Sequence, residues 1–172
     1  MLDSQTKTIE GVVWDWGDTL MRNLPDQEGP MARWPHVEAM PGAAEALSAL
    51  SELSVQCIAT NAGDSTGSMV AAALARVGLA DHLAHFFTSG EMGVKKPDSA
   101  FFETVSKNLG IEPSKLLAVG NDLRKDVQPA KAIGMTTVLV SPEAPPSADG
   151  ADFTVTNLTE LASLVQDGLL DS

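Results

Sequence analysis

Gly11-Val-Val-Trp-Asp-Trp-Gly-Asp-Thr-Leu20 is the stretch whose reading decides the fold. The apolar run 9–14 is too short for a helix and is broken by Asp15 and Gly17, so it reads as a buried strand carrying Asp15 at its tip. Open α/β sheets bind ligands at the carboxyl ends of their strands, so an acid there faces a crevice while a rigid core backs it. The same sequence of events, a short apolar run followed by small polar residues, returns at 54–60 before Asn61-Ala-Gly63 and at 116–119 before Gly120-Asn-Asp122.

Between these strands the apolar spacing changes to that of helices. Pro41-Gly42 opens a helix over 43–53 with Ala43, Ala46, Leu47 and Leu50 on one face. A second helix over 64–78 has Met69, Ala73, Leu74 and Val77 on its packing side and stops at Gly78. Pro97 fixes the start of a helix over 98–109, and Pro129 sits in the first turn of one over 129–133, where no backbone donor is needed. Further strands are expected at 86–88, 136–140 and 153–155, a closing helix at 158–165, and loops at 21–40 and at the proline-rich 142–150. Strands alternating with helices predict an α/β fold: a three-layer, Rossmann-like, mostly parallel sheet covered on both faces. If the sheet is parallel, Asp15, Thr60 and Asp122 all reach the same edge.

Length and composition narrow the function. At 172 residues the chain is expected to be a single domain able to bury roughly two thirds of its unfolded surface. No apolar run approaches the roughly 20 residues that cross a bilayer, and the polar start of the chain lacks the pattern of a secretory signal, so a cytoplasmic location is expected. A net charge of −12 with 11 dispersed lysines and arginines argues against nucleic acid as a partner. Cys57, the one cysteine, lies in an apolar run and reads as a small buried hydrophobe. His82 and His85 have no neighbours at metal-ligand spacing and are assigned packing or surface roles.

The ordered blocks Asp15-x-Gly17-Asp18-Thr19, Thr60-Asn61, Lys96-Pro97 and Gly120-Asn121-Asp122-x-x-x-Asp126 resemble the motifs of the haloacid dehalogenase superfamily. The resemblance implies an HAD-like hydrolase in which Asp15 attacks phosphorus or carbon, Thr60 and Lys96 hold the phosphate, and Asp15, Asp122 and the backbone carbonyl of Gly17 hold Mg²⁺. It places Asn61 beside the substrate and gives Asp126, Asn121 and Asp18 supporting roles. The chemistry suits these groups: phosphoryl transfer rests on positioning and on stabilising charge spread over three oxygens, which a hydroxyl and an ammonium can do. Two acidic groups brought together need a cation, and hard oxygen ligands select Mg²⁺. Lys96 is preferred to Lys95 because the family's lysine directly precedes the proline.

One position departs from that pattern. Phosphatases of the family carry a second aspartate two residues after the first, and Gly17 stands there. The missing group normally protonates the leaving group and activates water, an effect of roughly 10²–10⁴-fold. Three explanations compete: a substrate with a good leaving group, a proton donor from the following loop with His36 the candidate, or a non-catalytic phosphate-binding protein. Relatives that cleave carbon–halogen bonds also lack this aspartate, but they use an inserted cap, and only about twenty residues separate this motif from the next helix. No large cap domain is expected, with 21–41 as a short lid whose Arg22, Arg33, Trp34 and His36 are candidate substrate contacts or plain loop residues. By analogy, an open cleft suits a phosphorylated metabolite or a phosphoprotein as partner, or an oligomer in which a neighbouring subunit acts as lid.

Overall fold

The computed structural model of the chain describes residues 8–52, 54–143 and 150–168. Six parallel strands form one sheet in the order β3-β2-β1-β4-β5-β6: β1 Gly11–Trp14, β2 Val55–Thr60, β3 His85–Thr88, β4 Leu116–Gly120, β5 Thr136–Val140 and β6 Phe153–Val155. The order reverses at β1, which lies between β2 and β4. The crevice at the carboxyl end of β1 is therefore a topological switch point, where open α/β sheets take ligands. Register brings Trp14 level with Ile58 and with Val119, so Asp15 leaves the sheet between the ends of its two neighbours.

Alternation along β1 divides the core. Val12 and Trp14 pack with α1 Ala43–Ser51, α2 Gly67–Arg76 and α6 Leu158–Gln166 on one face, and Val13 packs with α4 Ser99–Leu109 and α5 Gln128–Ala132 on the other. Each of these residues is almost fully buried, which makes the strand apolar at every position, as a sheet covered on both sides requires. Between these helices lies one short helix, α3 Ser89–Met92, too brief to leave an apolar period in the sequence. Among the described residues no helix is long and apolar enough to cross a membrane, and no large domain interrupts the α/β order.

Most helix faces follow the expected spacing: α1 buries Ala43, Ala46, Leu47 and Leu50. Its expected last residue, Leu53, and much of the 142–150 loop lie outside the described residues. For α2 the phase differs. The helix begins at Gly67, with the Thr66 side chain accepting the Met69 N–H at 3.3 Å, and it buries Val70, Ala73 and Leu74 while Met69 and Val77 are half-buried. The hydroxyl cap at Thr66 sets the start, and this leaves Asp64 outside the helix.

β5 is tied to the chain entering β6 by Asp152. Its carboxylate accepts the Thr137 N–H at 2.9 Å, the Thr137 hydroxyl at 3.1 Å and the Lys131 ammonium at 3.1 Å, while its own N–H donates back to Thr137. Partial burial opposes ionisation, but the Thr137 N–H, Lys131 and the Thr137 hydroxyl outweigh it and hold the carboxyl below its usual range. A lowered folded-state pKa adds stability that is present above the unfolded value and lost as pH falls through the folded one. Asp152→Ala should therefore cost about 1–2 kcal/mol at pH 7. In urea titrations the cost should shrink as pH falls below about 4, where the unfolded carboxyl takes its proton.

Candidate active site

Lys96 is the centre of the site. Its side chain is 3% exposed, and its ammonium donates to Asp15 Oδ1 at 3.0 Å, Asp126 Oδ1 at 2.6 Å and the Ala59 carbonyl at 3.1 Å. Three donors meet three acceptors, one each from β1, β2 and the turn after β4, which satisfies a buried ammonium completely. Burial works against the charge, yet Asp15 and Asp126 outweigh it and raise the pKa of Lys96 above the ordinary lysine value. Lys95 is exposed.

Asp126 is buried as well. Burial first, and the nearby Asp15 charge second, push its carboxyl up to about 6, against the pull of Lys96 and the Asp122 N–H. One cation between two acids cannot neutralise both, so the proton affinity of the pair gathers on the more buried member. Asp126 Oδ2 accepts the Asp122 N–H at 3.1 Å while Oδ1 holds Lys96. A wide π-helical turn over Leu123–Val127 folds Asp126 back onto the end of β4 in this way. Gly120 is required there, because a Cβ at that position would run into the Asp126 side chain.

Asp15 is 13% exposed, so its carboxylate is reachable from the crevice while anchored on both oxygens, by Lys96 and by the Thr19 hydroxyl at 2.9 Å. Thr19 also lies 3.2 Å from Asn121 Oδ1, but a hydroxyl has one proton and the carboxylate is the stronger acceptor. The buried Thr19 is a positioning group the sequence reading did not single out. Past Asp15 the chain turns so that the Trp16 carbonyl accepts from Leu20 and Met21, and among the described residues the N–H groups of Trp16 and Gly17 have no protein acceptor.

Thr60 ends β2 with its oxygen accepting the Ala62 N–H at 3.3 Å, which leaves its hydroxyl proton to point elsewhere. The Asn61 amide takes the Lys96 N–H at 2.9 Å and donates to the Lys96 carbonyl at 3.0 Å, so it braces the lysine's backbone. Asp18 has a left-handed backbone, φ 60°, and its carboxylate accepts the Asn23 N–H at 2.8 Å. Asp122 caps the π turn through Oδ1, which accepts the Lys125 N–H at 2.9 Å.

The 21–40 loop is better ordered than its composition suggested. Met21 bridges Ala39, a 3₁₀ turn forms over Met31–Arg33, and Trp34 is buried with its indole N–H on the Glu28 and Gly29 carbonyls. Arg76 of α2 donates to the carbonyls of Ala32, Trp34 and Pro35 and holds the loop from below. Arg22 pairs with Glu38 at 3.0 Å, Arg33 is exposed, and the exposed His36 pairs with Glu38 at 2.9 Å. Cys57 is fully buried, which pushes its thiol pKa up and keeps it unreactive. His85 is exposed and stacks on Phe87.

A switch-point acid, a buried lysine shared by two carboxylates and a hydroxyl at the next strand end are gathered at one edge of the sheet. The family model for haloacid dehalogenase-like hydrolases matches residues 5–134, and the chain belongs to that family. It is 36% identical over 137 residues to the ribulose-1,5-bisphosphate 5-phosphatase of Halopiger xanaduensis, an alignment covering 73% of this chain and 56% of that protein. With the phosphoglycolate phosphatase of Chromobacterium violaceum it shares 31% over 135 residues, covering 77% of this chain and 59% of the other. The chain thus spans a little over half the length of these two relatives. A HAD phosphatase from Thermococcus onnurineus has the same fold, with a TM-score of 0.75 at 19% identity, over 91% of this chain and 98% of that one.

Proposed function

We propose that the chain is a Mg²⁺-dependent phosphohydrolase that works through an aspartyl-phosphate at Asp15. The observation that carries this reading is the ammonium of Lys96, 3.0 Å from Asp15 and 2.6 Å from Asp126, at the switch point of the sheet. Named phosphatases among the relatives support it.

On this reading an Asp15 oxygen attacks phosphorus in line, the bond from phosphorus to the leaving oxygen breaks, and the electron pair departs with that oxygen. The free N–H groups of Trp16 and Gly17 and the Thr60 hydroxyl bind the phosphoryl oxygens, while the charge of Lys96, held behind Asp15, helps stabilise the negative charge that spreads over them. Water then attacks the phosphorus of the intermediate, the bond to Asp15 breaks, and the carboxylate is restored with release of inorganic phosphate. Thr19 and Lys96 keep the Asp15 oxygens aimed throughout.

Mg²⁺ fits the donor set. Asp15, the second oxygen of Asp122 and the Gly17 carbonyl are hard oxygens, and among the described residues neither of the last two receives a protein hydrogen bond. No group of three or more His, Cys, Asp or Glu side chains is gathered among the described residues, so the set does not suit zinc. Bound there, the ion supplies neutralising charge to the acids and to a phosphate. The proposal includes one hydrolase domain with 21–41 as its lid, a cytoplasmic location, and a phosphorylated metabolite as substrate.

The space at Gly17 favours a second reading, a phosphate-binding protein without turnover, because no side chain occupies the position of the family's acid. A Cβ built at Gly17 meets nothing within 4 Å, so an aspartate fits. Gly17→Asp should raise kcat on an alkyl phosphate about tenfold or more, toward the range of general acid–base catalysis. Turnover of p-nitrophenyl phosphate by the unaltered chain with Mg²⁺, lost in Asp15→Asn, decides between the readings; Mg²⁺ and phosphate binding with no turnover selects the second.

A further inference from the structure

The empty space at Gly17 belongs to a cavity of about 270 Å³ that begins at Thr60 and runs out under the lid loop. Trp16, Trp34, Asn23 and Asp64 are among the residues lining it. It therefore adjoins the nucleophile through Trp16 and Gly17 and the phosphate subsite through Thr60. What leaves a phosphate held at Asp15 toward Gly17 enters this space.

Its charge is one-sided. Among the described residues Asp64 is the one ionisable side chain on its wall; it is exposed, with the buried Ser65 hydroxyl donating to its Oδ1 at 3.1 Å. No lysine or arginine among the described residues lines it. The cations nearby in the fold are engaged elsewhere: Arg76 on the loop carbonyls, Arg22 on Glu38, and Lys96 on Asp15 and Asp126. A second phosphate or a carboxylate would enter facing Asp64, with no lysine or arginine side chain among the described lining residues to pair it. An ammonium would meet the Asp64 carboxylate, which attracts it by charge, and otherwise uncharged lining residues.

We propose that this cavity takes a neutral or cationic alcohol as the leaving group and rejects an anionic one. The substrate class is then a monophosphate ester of a small amino alcohol or uncharged alcohol, unlike the bisphosphate and phosphoglycolate named for the two relatives above. The inference rests on the phosphohydrolase reading for its orientation, but its test does not depend on turnover. Three two-carbon esters differing at the far end serve as probes: ethanolamine phosphate, hydroxyethyl phosphate and phosphoglycolate. Titration calorimetry on the Asp15→Asn chain with Mg²⁺ should give dissociation constants rising in that order, with about a tenfold span from first to last. Asp64→Lys in the same background should reverse the order. Equal constants, tightest binding of phosphoglycolate, no binding of any ester, or an order unmoved by Asp64→Lys each overturn the proposal. Failure of the phosphohydrolase reading is seen separately, as absence of p-nitrophenyl phosphate turnover by the unaltered chain.

Discussion

Asp15→Asn should abolish Mg²⁺-dependent turnover of an aryl phosphate, by on the order of 10⁴-fold or more, because the amide offers no oxygen nucleophile and residual rate comes from the remaining binding groups alone. The fold should not suffer. Lys96 keeps Asp126 at 2.6 Å and the Ala59 carbonyl at 3.1 Å, and the substitution removes the charge that helps push Asp126 up to about 6. Two acids sharing one ammonium become one acid with one ammonium. Urea midpoints at pH 7 should therefore be unchanged or higher, and the Asp126 carboxyl should titrate lower, which carboxyl-resolved NMR can read. A large loss of stability would mean that Asp15 is a structural partner of Lys96 first.

Lys96→Met should do the reverse, losing both activity and stability. It leaves the Asp15 and Asp126 carboxylates facing one another with their shared cation gone, and removing one partner of a buried ion cluster costs roughly 3–5 kcal/mol. The pH dependence has a definite sign. Asp126 already binds its proton more tightly folded than unfolded, and without Lys96 its pKa rises further. A raised folded-state pKa gives stability that is present below the unfolded value and lost as pH rises through the folded one. The deficit of the variant should accordingly be smaller at pH 5 than at pH 8. Denaturant curves at the two pH values check this; an equal deficit at both would show that lost packing of the lysine stem, not charge, carries the effect.

The strand positions were legible because β1 and β4 are unbroken apolar runs followed by polar residues, and α1 and α6 because they bury helical stripes. What the sequence could not supply was long-range. Thr66 and Asp64 are both reasonable helix starts, and only the cap bond to Met69 decides between them; the choice moves Val70 into the core and leaves Asp64 on the cavity wall. The lid reads as structureless because its order is imposed from outside by Arg76, 42 residues from Trp34 in sequence. Asn61 and Asp126 were visible as polar residues at the right strand ends. Their partners, the Lys96 backbone and the Lys96 ammonium, become apparent only once the β2 and β4 ends are brought beside β1.

Asp15 as nucleophile can be tested at the atom. The unaltered chain is incubated with Mg²⁺ and p-nitrophenyl phosphate, quenched, reduced with borohydride and mapped by peptide mass spectrometry, since reduction converts an aspartyl-phosphate to homoserine. The account predicts homoserine at position 15, dependent on both Mg²⁺ and the ester. Ester turnover with no reduced residue at position 15, or with homoserine at Asp122 or Asp126, would contradict it.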